Sequence, residues 1–125
     1  MVVILKNEKI DRIKECLENL NSKKGINGCI LCSEEGLVVI STKNNYKEDD
    51  FDSLAAMAAT LLDIMNYEIL SDIVISYDKR KIFLKKINGD ICNLIFINVI
   101  ASNQRYFKRE VNKTIREISK LLTFN

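Results

Sequence analysis

The chain has 125 residues, 47% of them apolar, with 19 Lys and Arg against 17 Asp and Glu and a net charge of +2. A single domain over residues 1–125 is expected, since one core divides only beyond roughly 250 residues. The near-neutral charge argues against a nucleic-acid partner, and the absence of histidine removes the commonest general base and neutral metal ligand.

From Asn7 to about Ser22 the apolar residues Ile10, Ile13, Leu17 and Leu20 recur at helical spacing, and Lys23-Lys24-Gly25 supplies a basic last turn and a left-handed stop. Ile26 to Ser33 and Leu37 to Thr42 read as two strands joined by Glu34-Glu35-Gly36. Residues 43–49 form a polar loop, and Asp49 or Asp50 is a natural N-cap for a long helix from about Phe51 to Tyr67. Strand-like runs follow at Ile69 to Tyr77, Lys81 to Ile87 and Ile91 to Asn98, the last two joined by the hairpin dipeptide Asn88-Gly89. The pattern returns to helical from Asn103 to Leu122, with Phe107, Val111, Ile115, Ile118 and Leu122 on one face. The order α-β-β-α-β-β-β-α, with hairpin connections and no regular βαβ alternation, predicts an α+β fold with helices on the faces of one antiparallel sheet.

The second helix is apolar on more than one side. Phe51, Leu54, Ala55, Ala58, Leu61, Leu62 and Met65 make the stripe that belongs on the sheet, yet Ala56, Met57, Ala59, Thr60, Ile64 and Tyr67 occupy much of the rest. Alanine alone could reflect helix propensity. The depletion of charge favours a helix held between its own sheet and a partner, with Ala56, Ala59 and Thr60 small enough for close approach.

The chain carries little catalytic inventory. Cys29 and Cys32 form a C-x-x-C within a strand, where positions i and i+3 point to opposite faces and cannot clamp one ion or close one disulfide. Both read as small core residues, as do Cys16 and Cys92. Asp49, Asp50 and Asp52 read as helix-capping carboxylates rather than a metal site, and no glycine-rich phosphate loop occurs. No catalytic, cofactor-binding or metal residue is assigned. The short apolar start of residues 1–5 and the lack of a run of ~20 apolar residues point to a cytoplasmic protein without membrane insertion. Basic residues gather at Lys79, Arg80, Lys81, Lys85 and Lys86 and on the last helix, where Glu110 and Glu117 offer ion-pair partners and solvated surface is the simpler reading.

Several strings in order resemble the Roadblock family, which includes roadblock-type dynein light chains, Ragulator subunits and the bacterial gliding-motility GTPase-activating protein. They are the glycine, strand, acidic-Gly turn and strand of residues 25–40, the alanine-rich helix of residues 53–62, and the hairpin of residues 82–95. The resemblance implies a five-stranded antiparallel sheet with the first and last helices on one face and the alanine-rich helix on the other. It further implies pairing through side-by-side second helices and edge-to-edge third strands, as a homodimer or with another Roadblock protein. The expected dimer interface is Ala56, Ala59, Thr60, Asp63, Tyr67, Ser71, Ile73, Val74 and Ile75. Asp52, Ser53, Met57 and Ile64 are the expected partner surface for a Ras-like small GTPase, which this chain would activate, exchange or tether without catalytic residues of its own. A small-molecule sensor of the PAS or profilin-like type and a structural adaptor of the dynein light chain type are the alternatives.

Overall fold

A computed structural model describes residues 7–42, 50–65, 73–77, 80–101 and 108–123. The elements are α1 (Asn7–Asn21), β1 (Ile26–Ser33), β2 (Val38–Ser41), α2 (Phe51–Ile64), β3 (Ile73–Tyr77), β4 (Arg80–Asn88), β5 (Asn93–Ala101) and α3 (Lys108–Leu121). The strands form one antiparallel sheet in the order β2-β1-β5-β4-β3. This is the expected α+β architecture, with the expected division of helices between the faces.

Alternation along the strands builds two cores. On one face Leu31, Phe83, Leu94, Phe96 and Ile100 pack against Ile13, Leu17 and Leu20 of α1 and Val111, Ile115 and Ile118 of α3. On the other, Ile30, Ile82, Leu84, Ile95 and Ile97 pack against Leu54, Ala55, Ala58 and Leu62 of α2. Phe83 and Phe96 meet edge to face at 6.1 Å between centroids, a geometry that favours aromatic pairs beyond their buried area. The helix α1 lies over β1 and β2, and α3 lies beside it toward β4.

The C-x-x-C reading holds: Cys29 joins the α1/α3 core and Cys32 the α2 core, on opposite sides of the sheet. Burial pushes both thiols up to about 12, although the Asn98 side-chain N–H on the Cys29 sulfur works slightly the other way. Below the ordinary thiol value both states are protonated and stability is insensitive to these groups. As pH rises from about 9 toward 12 the unfolded chain loses these protons first, so stability falls across that window. In the folded protein Cys29 and Cys32 should therefore resist a chromogenic disulfide reagent at about pH 8 and react only as urea unfolds the chain. Rapid labelling of both in the folded state would contradict this packing.

Local signals mostly mark the right places. Helix α1 ends at Asn21, ahead of the expected Lys23-Lys24-Gly25 stop, and Gly25 with φ 91° shapes the turn into β1 instead. Asp50 caps α2, its carboxylate accepting from Asp52 N–H at 3.0 Å and from the Ser53 hydroxyl at 3.1 Å. The Asn88-Gly89 hairpin is different from expectation. Asn88 pairs with Asn93, so residues 89–92 form a four-residue connection. Gly89 is needed there for close approach, since a Cβ would lie 2.4 Å from that of Leu122, and Ile91 N–H donates to the Leu122 carbonyl at 2.9 Å. Docking against the end of α3 thus displaces the tight turn, and β5 runs later than predicted, to Ala101, whose N–H reaches the Gly25 carbonyl. The predicted ends of the second helix at Tyr67 and the third strand at Ile69 lie outside the described residues, as does Phe107.

Candidate partner interface

Among the described residues, the outer side of α2 and the edge strand β3 carry exposed apolar side chains on which an interface could form. Ile64 is 74% exposed, Met65 43% and Val74 52%. Ala56, Thr60 and Asp63 follow one another at i, i+4 and i+7 and are all exposed, giving a narrow ridge of small side chains with one carboxylate at its end. The Thr60 hydroxyl donates to the Ala56 carbonyl at 2.9 Å, so it is satisfied within its own helix and leaves a smooth surface. Asp52 and Ser53 lie exposed at the start of α2, where Ser53 and the Asp52 amide are tied to Asp50.

Two residues expected on this surface are only partly exposed. Met57 is half-buried and packs against the α2-side core, so it supports the sheet more than it meets a partner. Ala59 is also half-buried. It adjoins the β1–β2 turn, where Gly36 has φ 92° and a Cβ there would stand 3.0 Å from Ala56 Cα and 3.3 Å from Ala59 Cβ. Part of the alanine content of α2 therefore serves this internal contact. The sequence alone does not show it, because Gly36 reads there only as a turn residue. Leu37, 70% exposed directly after Gly36, becomes a further apolar element bordering α2.

Strand β3 is the last strand of the described sheet and pairs only with β4. Its register with β4 sets Ile73 opposite Leu84 and Ile75 opposite Ile82 on the α2 side, both half-buried, while Val74 opposes Phe83 on the α1/α3 side. An apolar edge strand of this kind offers a ladder of backbone donors and acceptors to another chain. Tyr67 and Ser71 lie outside the described residues.

The described residues also form concavities away from α2. Two grooves of about 390 and 180 Å³ lie between α1 and α3 and share Cys16, Asn19 and Glu117. Cys16, expected in the core, is instead half-buried on the wall of these grooves, where its thiol donates to Glu117 Oε2 at 3.4 Å. Burial first, then this carboxylate, push it up to about 11, which keeps it protonated and unreactive. Among the described residues no group of three or more Cys, Asp and Glu could hold a metal ion, and no helix is long and apolar enough to cross a membrane.

A five-stranded antiparallel sheet with two helices on one face and one helix on the other defines a three-layered α+β module. The model of the Roadblock/LC7 domain family matches residues 12–92, and the chain belongs to that family. Its fold is similar to a structure described as MglB with tetrameric arrangement, at TM-score 0.81 and 14% identity over 96% of this chain and 94% of that one. It is also similar to the gliding protein MglB from Thermus thermophilus, at TM-score 0.78 and 14% identity over 96% and 95% of the two chains. A Roadblock/LC7 domain from Streptomyces avermitilis aligns at TM-score 0.61 and 15% identity over 87% and 90%. No curated protein sequence matches the chain significantly.

Proposed function

We propose that this chain is a dimeric, non-catalytic regulator that docks a Ras-like small GTPase. Two copies pair through α2 and the β3 edge. The partner sits on the surface made by the paired α2 helices and the adjoining β1–β2 turns. The observations that carry the reading are the exposed outer side of α2, ending in Ile64 and Met65, and β3 as the last strand of the described sheet. Surface of that kind on a helix and an edge strand together is unusual for a monomer. The likeness to MglB supports the gliding-motility branch of the family as the nearest functional setting, in the cytoplasm. The GTPase would bring the nucleotide, the magnesium and the chemistry, while this chain would hold its switch segments in one arrangement.

The test is a pull-down from source cells scored for small GTPases, followed by hydrolysis and exchange assays with and without this protein. Retention of a Ras-like GTPase with a changed rate of either reaction is the expected result. Retention of no GTPase, together with a small molecule copurifying in stoichiometric amount, would overturn it in favour of a ligand sensor.

A further inference from the structure

Helix α3 carries five exposed cations, and successive turns place four of them, Arg109, Lys113, Arg116 and Lys120, within an arc of about 60° and along about 16 Å, with Lys108 off that line. Carboxylates lie along the flank that faces α1: Glu110 and Glu117 share the wall of one groove with Lys113, and Glu15 and Glu117 share the other with Lys120. Glu117 accepts the Cys16 thiol, and Glu110 lines the groove against α1 with Lys113 on its rim. Among the described residues none of the four cations makes an ion pair. Like charges three and four residues apart work against the helix that holds them. Helix α1 is different: its exposed Arg12 and Lys14 are interleaved with Asp11, Glu15 and Glu18. The ridge is therefore a local concentration of positive charge on a chain of nearly neutral total.

We propose that this ridge binds the headgroup surface of an anionic lipid bilayer. The inference rests on the β3-edge pairing proposed above. Pairing that sets two α2 helices side by side leaves both α3 helices together on the opposite face of the joined sheet. Since α3 lies toward β4, one strand from the edge, the two ridges flank the seam at a separation of about 15–20 Å, taking strands about 4.8 Å apart. Eight cations then share one side of the dimer. Between the ridge cations stand Asn112 and Ser119, neither apolar nor aromatic, so the ridge lacks the buried anchor that an acidic protein partner needs. It also lacks the aromatic platforms that hold single-stranded nucleic acid, and the trough between two helices at this spacing is too narrow for a duplex. A broad, diffuse negative surface is what such charges match, and the proposed GTPase surface would face away from it.

Cosedimentation of the full-length protein with vesicles of phosphatidylcholine containing about a third phosphatidylglycerol tests this, against phosphatidylcholine alone. At about fivefold per cation, Arg109→Gln with Arg116→Gln should lower partitioning roughly 25-fold per protomer, and raised salt should do the same. Lys14→Gln with Lys24→Gln, which removes equal charge elsewhere, should leave it within about twofold. No binding to anionic vesicles at low salt, equal binding to both vesicle types, or equal loss in the two double variants would overturn the proposal. So would retention by duplex DNA or an acidic peptide without vesicle binding. Light scattering on the same sample separates this from failure of the dimer reading: a monomer that still binds in a ridge-dependent way keeps the ridge and loses the pairing.

Discussion

Thr60→Arg is expected to turn the proposed dimer into monomers, with the dissociation constant raised about a hundredfold or more. Thr60 is exposed on the outer line of α2 between Ala56 and Asp63, and its hydroxyl bonds only its own helix. Arginine is a good helix former and the position is solvated in a single chain, so the monomer should change by less than about 0.5 kcal/mol. In a two-fold contact each copy brings the same substitution to the same seam, so two bulky guanidinium groups are driven into a close helix contact where the Asp63 carboxylates at the ridge end offset only part of the penalty, at a cost of about 3 kcal/mol. Ala59 is a poorer probe, because its half-buried side chain touches the β1–β2 turn and a bulky replacement would disturb the chain's own fold. Sedimentation across a concentration series reads the effect. An unchanged oligomer would move the contact off α2.

Gly36→Val destabilises the fold by about 3 kcal/mol and weakens pairing at the same time. Its φ of 92° belongs to the left-handed region, where a branched side chain costs roughly 1–2 kcal/mol. A Cβ there would meet the Ala56 Cα at 3.0 Å and the Ala55 carbonyl oxygen at 3.3 Å, backbone atoms that move only if α2 moves. The turn would push the helix outward and tilt the surface that a second copy meets. The lowered urea midpoint should come with an unchanged denaturant slope. A loss under about 0.5 kcal/mol would show that the turn does not hold α2 in place.

The layering was legible because patterning decides it. Ile13, Leu17 and Leu20 at helical spacing, and Cys29 and Cys32 at opposite parity on one strand, take the faces their positions dictate. What could not be read came from contacts between distant segments. The turn at Gly89 is shaped by Leu122, and β5 is extended by the carbonyl of Gly25. Of the expected site, Ala56, Thr60, Asp63 and Ile64 lie exposed together as the helix period requires. Met57 and Ala59 are half-buried because the sheet and the Gly36 turn cover part of each, which no helical wheel records. The ridge on α3 was visible as charge. The sequence cannot show that Glu117 is engaged by Cys16, so a solvated face with Glu110 and Glu117 as ion-pair partners is its simpler reading.

Light scattering of the unmodified chain at tens of micromolar tests the central claim most directly. Self-pairing through α2 and β3 predicts a particle of twice the chain mass, reduced to the single-chain mass by Thr60→Arg. A single-chain mass for the unmodified protein, or a dimer that Thr60→Arg leaves intact, would contradict it.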